Sequence, residues 1–90
     1  MANMIVGLRV MPEDGEVEYE ALESEVREVV ENYDESVEIR SIEGEPVGFG
    51  LKAVSLEIEV DENCGTEELE NKLNDLEAVG EASITKMDRL

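Results

Sequence analysis

Only a few side chains in this sequence are scarce enough for their placement to carry meaning. Phe49 is the one phenylalanine, and it stands between two glycines in the run Glu45-Pro46-Val47-Gly48-Phe49-Gly50-Leu51-Lys52. Glycine on both sides strips away side-chain cover and frees the backbone to project the ring outward. The opposing reading makes Gly48 and Gly50 an ordinary hairpin turn from which Phe49 folds back onto the core. Lys86 and Arg89 form the second scarce group, two of only 7 basic residues, set together near the end of the sequence. They read either as solubilising charges on a fraying end or as a cationic tip.

Most other chemistry is excluded by what is absent. With no His there is no imidazole acid-base catalysis, no Ser-His-Asp triad and no His metal site. Carboxylates are so numerous, 25 of them, that pairs at any spacing arise by chance. The glycines form neither a phosphate-cradling loop nor a dinucleotide fingerprint, because Gly48-Phe49-Gly50 opens a strand rather than a helix. Asp61-Glu62-Asn63 shares only composition with a calcium loop and lacks its twelve-position ligand pattern. Cys64 is alone, so no disulfide framework or four-thiolate cluster forms within the chain. No cofactor and no covalent enzyme chemistry is expected.

Charge narrows the partners. A formal charge of −18 disfavours direct binding to nucleic acid or to an anionic membrane, since phosphate contacts need clustered Lys and Arg. At low salt such a chain repels itself. At about 1 M salt the screening length falls to about 3 Å and most of that repulsion disappears. The acidity therefore reads as a solvation feature of a halophilic protein in a salt-rich cytoplasm. Met1-Ala2-Asn3 runs directly into Met4-Ile5-Val6 with no cationic start and no long apolar stretch, which again suits the cytoplasm.

Something must position Phe49 and the terminal cations. The 90 residues suffice for one modest core, so residues 1–90 are expected to form one domain, and 41% hydrophobic content is enough to fold it. Met4, Val6, Leu8 and Val10 alternate as in a half-buried strand. Pro12 to Gly15 breaks that pattern. Leu22, Val26, Val29, Val30 and Tyr33 then recur at helical spacing between Val17 and Tyr33. Val37 and Ile39 start a second strand, expected to end at the turn residues Gly44, Glu45 and Pro46. Val54, Leu56, Ile58 and Val60 mark the strongest strand. After an Asp61–Gly65 loop, Thr66 is the expected N-cap of a helix striped by Leu69, Leu73 and Leu76, with Gly80 just past its end. Ala82 and Ile84 begin a last strand.

The order βαββαβ predicts an α+β, ferredoxin-like sandwich, a four-stranded antiparallel sheet with both helices on one face. The other face is expected to show Arg9, Ser55, Glu57, Glu59 and Thr85, with Ile5 as an apolar exception. Strand order 4-1-3-2 makes strands 3 and 4 run the same way. Phe49, before strand 3, and Arg89, ending strand 4, then fall at opposite ends of the sheet, roughly 20–30 Å apart.

Pro46 to Lys52, the long alternating strand, Gly65-Thr66-Glu67 and the ending Met87-Asp88-Arg89-Leu90 resemble translation elongation factor 1-beta. Arg9-Val10-Met11-Pro12 followed by an acidic helix resembles its short archaeal form. The likeness runs over essentially the whole chain and is most specific from Pro46 to Leu51. It implies a ferredoxin-like fold and nucleotide exchange on elongation factor 1-alpha, the GTPase that delivers aminoacyl-tRNA. It also implies that Phe49, flanked by Gly48 and Gly50, enters a pocket on a second domain of that partner. The penultimate basic residue, here Arg89, would reach the partner's Mg²⁺ site, with Leu90 behind it as an apolar anchor. Eukaryotic members carry Lys at that position, and the planar guanidinium is not a direct substitute for a compact ammonium. Lys86 is the residue that could share the role. The competing expectation for a small ferredoxin-like domain is a ligand-sensing regulatory module.

Overall fold

A computed structural model describes residues 2–89. The strand β1 (Asn3–Pro12) leads to helix α1 (Tyr19–Glu31), then to strands β2 (Glu38–Gly48) and β3 (Leu51–Asp61). Helix α2 (Thr66–Asn74) and strand β4 (Val79–Arg89) complete the βαββαβ order. The sheet runs β2-β3-β1-β4, with every neighbouring pair antiparallel. This is the expected α+β, ferredoxin-like arrangement, and the two long strands placed centrally are those with the cleanest apolar alternation.

The core lies between the sheet and the helices. Met4, Val6, Leu8 and Val10 of β1 meet Val54, Leu56, Ile58 and Val60 of β3. Leu22, Val26 and Val30 of α1 and Leu69 and Leu73 of α2 close over them, all completely buried. Burying each such side chain stabilises the fold by about 1.5–3 kcal/mol. Neither helix has a side-chain hydrogen bond at its N-cap, so apolar burial, more than capping, holds the helices on the sheet.

Several boundaries differ from the sequence reading. Gly44, Glu45 and Pro46 do not turn the chain. They continue β2, opposite Val54, Ala53 and Lys52. Proline is tolerated there because β2 is an edge strand. Thr66 is not the N-cap of α2 but its first residue, buried against the core, and Gly65 holds the cap position. Helix α2 ends at Asn74, and Gly80 lies within β4. A Cβ on Gly80 would sit 2.8 Å from the Pro12 carbonyl oxygen, so this glycine admits the crossing of the β1–α1 connection.

The outer face of the sheet is roofed by ion pairs. Arg9 reaches Glu45 at 3.4 Å over the buried Ala53, and Arg40 reaches Glu59 at 2.5 Å. Asn3 donates a second hydrogen bond to Glu59 at 2.7 Å. These two donors hold the Glu59 carboxyl below the usual carboxylate range, Asn3 contributing most. The apolar exception, Ile5, is buried between Glu59 and Asp88 in the register.

Candidate functional site

The β2–β3 hairpin shows why Phe49 is held away from the core. Gly48 pairs with Leu51, leaving Phe49 and Gly50 as a two-residue loop. Both loop residues have positive φ, 55° and 75°, and Gly48 before them has φ 93°. Positive φ at both central positions is the signature of the type I′ turn, which matches the twist of the flanking strands. Glycine adopts this geometry freely, whereas Phe49 takes the left-handed region at a cost of about 1–2 kcal/mol. The ring is fully exposed, and no atom comes within 4 Å of the Cβ positions that side chains at Gly48 or Gly50 would occupy. The reading in which the ring projects outward holds, and the opposing one is right about the turn and wrong about the ring. The glycines do make a hairpin turn, and the ring does not fold back.

Arg89 lies at the other end. Its partner in β1 is Met4, which in turn pairs with Val60 near the end of β3. From Leu51 to Val60 the strand rises about 30 Å at about 3.3 Å per residue. The two tips therefore occupy opposite poles of a body 42 Å long. Among the described residues Arg89 joins no ion pair, while Arg9, Arg27, Arg40 and Lys86 all do. Leu90 lies outside the described residues.

Lys86 and Arg89 do not form one cluster. Lys86 is opposite Gly7 on the outer face, where its ammonium sits 3.4 Å from Glu57 and 3.7 Å from Asp88. Arg89 and Met87 are opposite Met4 and Val6, whose side chains face the helices. Strand alternation thus sends the two cations to different faces.

A groove of about 420 Å³ opens beside Arg89, its lining including Met4, Glu62, Cys64, Thr66, Glu67 and Met87. Tyr33 donates a hydrogen bond to the carbonyl of Gly65, which precedes α2. The Cys64 thiol is pushed up by burial and then by Asp34 and Asp61, so it stays protonated at neutral pH. Met87, half exposed, had no functional reading from sequence. In the sequence it stood out only as an apolar residue among Lys86, Asp88 and Arg89, within the ending that carries the family resemblance.

The family model for the EF-1 guanine nucleotide exchange domain matches residues 5–90. An elongation factor 1-beta of Methanothermobacter thermautotrophicus is 35% identical, the alignment covering 100% of this chain and 99% of that protein. One from Staphylothermus marinus is 36% identical with the same coverage. One from Methanocaldococcus jannaschii is 39% identical over 88% of each chain. Among solved structures, the ACT domain from the GTP pyrophosphokinase of Chlorobium tepidum superposes with a TM-score of 0.62 at 22% identity, covering 98% of this chain and 99% of that one. At that identity the likeness speaks for the fold alone. The full-length agreement with archaeal relatives and the domain match together place the chain in the elongation factor 1-beta family of guanine nucleotide exchange domains.

Proposed function

We propose that this guanine nucleotide exchange factor of translation elongation acts on elongation factor 1-alpha by gripping two of that partner's domains at once. Residues 1–90 act as one exchange domain, working in a salt-rich cytoplasm, and no covalent chemistry is involved. The observation that carries the reading is the separation of the two tips in a member of this family. A fully exposed ring stands on a strained turn at one pole, and a guanidinium without an ion-pair partner among the described residues stands at the other.

Phe49 enters an apolar pocket on one domain, where a buried aromatic contributes a few kcal/mol to binding. Gly48 and Gly50 leave the turn bare, so that nothing beside the ring obstructs the approach. Arg89 reaches the Mg²⁺ site of the nucleotide-holding domain, and Leu90 follows as an apolar anchor. A guanidinium within about 5 Å of a divalent ion, at an effective dielectric of about 20, is repelled by on the order of 6 kcal/mol. Since every 1.4 kcal/mol is about tenfold in an equilibrium, that repulsion is ample to loosen an ion held partly by phosphate oxygens. Linkage requires the converse: bound nucleotide weakens the grip of this chain by the same factor. Lys86, tied to Glu57 on the outer face, shapes the edge of this contact, while Arg89 carries the cation.

The test uses the partner GTPase loaded with a fluorescent GDP analogue. Addition of this chain should speed release of the analogue, and an unchanged release rate would contradict the proposal. A ligand-sensing regulatory module would bind a small molecule and leave release untouched. The fold likeness to an ACT domain does not favour that alternative.

A further inference from the structure

Among the described residues only two large apolar side chains are exposed, Phe49 and Met87. The first has a role in the grip proposed above; the second does not. Along the helix side of β4, cover falls away stepwise. Ala82 is buried, Ile84 is partly covered, and Met87 is 52% exposed. The core gains little from a methionine at this position, since Val6 opposite it is already completely buried.

The edge of β4 changes character at the same place. Asn74 of α2 bonds both main-chain groups of Ala82, at 2.9 and 3.0 Å, and Glu70 accepts from the Ile84 amide at 2.9 Å. Those bonds close the open edge of the sheet over its first half. Beyond the bulge between Ile84 and Lys86, no described side chain bonds to the edge of Met87, Asp88 or Arg89. An outside chain therefore has access to the Met87 side chain and to the strand edge together.

Resting on the proposed function, we infer that Met87 is a docking residue for the same partner GTPase, seating an apolar side chain of the nucleotide-holding domain beside Arg89. Met87 and Arg89 lie on one face and line one groove, so a contact at Met87 adds affinity at the same end of the sheet without touching the ion site itself. The carboxylates of Glu62 and Glu67 beside the groove favour a partner surface carrying basic groups. They disfavour a second copy of this chain, which brings the same carboxylates and another −18 charges. Methionine suits the task because its unbranched thioether adapts to an irregular apolar surface.

The experiment follows release of the fluorescent GDP analogue against the concentration of the exchange factor, using the full chain. Met87→Ala should raise the concentration for half-maximal release about tenfold, with the plateau rate unchanged. Met87→Leu should restore it to within about twofold, and circular dichroism should show both variants folded alike. An unchanged half-maximal concentration in Met87→Ala, or a fall in the plateau alone, would overturn the inference while wild-type exchange still stood. Absence of exchange by the wild-type chain would instead overturn the function on which it rests.

Discussion

Phe49 and Arg89 stand at opposite ends of the sheet, joined through a single register line. Arg89 is level with Met4 and Val60, and Phe49 directly precedes Leu51 at the far end of the same strand β3. Because β3 and β4 both pair antiparallel with β1, they run in one direction, and the start of one is remote from the end of the other. The hydrogen-bonded sheet makes this span rigid, so binding at one tip fixes the reach of the other.

Removing the ring should therefore separate binding from folding. Phe49→Ala deletes no buried surface, and its denaturation midpoint should correspond to the wild-type stability within about 0.5 kcal/mol. Titration against the GTPase should show affinity reduced by at least about tenfold. Equal affinity would remove Phe49 from the grip.

Gly80 offers a contrasting case, in which stability alone is at stake. The close approach of Pro12 and Glu13 leaves no room for a methyl group. Gly80→Ala should destabilise the chain by about 1–3 kcal/mol in chemical denaturation. A wild-type midpoint would mean that the β1–α1 connection yields without cost.

The positions of such residues show how far the sequence could be read. Alternation in Met4–Val10 and Val54–Val60 sufficed to identify these two strands, because in each the even-numbered side chains enter the core beneath the helices. The edge strand β2 has no such contrast, being mostly half-buried or exposed, so Gly44 and Pro46 were read as a turn although both lie in the ladder. Thr66 and Gly80 have the right chemistry for caps, yet packing assigns them other work. The exposure of Phe49 was legible from its flanking glycines, while the turn that produces it, with positive φ at Phe49 itself, was not. Met87 stayed hidden because exposure at the end of a strand depends on where the helix above it stops.

Glu59 should titrate below the ordinary glutamate value. Its folded pKa is depressed, so its contribution to stability is present above the unfolded value and is lost as pH falls through the folded one. Asn3→Ala removes the larger cause and should move the Glu59 midpoint upward, as read from its side-chain carboxyl resonance across a pH series. A midpoint unmoved by Asn3→Ala would assign the depression to Arg40 alone.

Salt should stabilise this chain. The surface ion pairs are individually worth at most about 1 kcal/mol and weaken on screening, whereas the net charge of −18 repels itself throughout the molecule. Raising KCl from about 0.1 M to about 1 M, which shortens the screening length from about 10 Å to about 3 Å, should raise the melting temperature by at least about 4 °C. A falling melting temperature would show that the ion-pair roof outweighs the repulsion.

The guanidinium at the end of β4 is the group proposed to empty the GTPase. Stopped-flow release of a fluorescent GDP analogue, at saturating concentrations of the exchange factor, tests that role with Arg89→Ala. The variant's plateau rate should be at least about tenfold slower, equivalent to about 1.4 kcal/mol, with circular dichroism unchanged. A plateau equal to that of the wild type would contradict it.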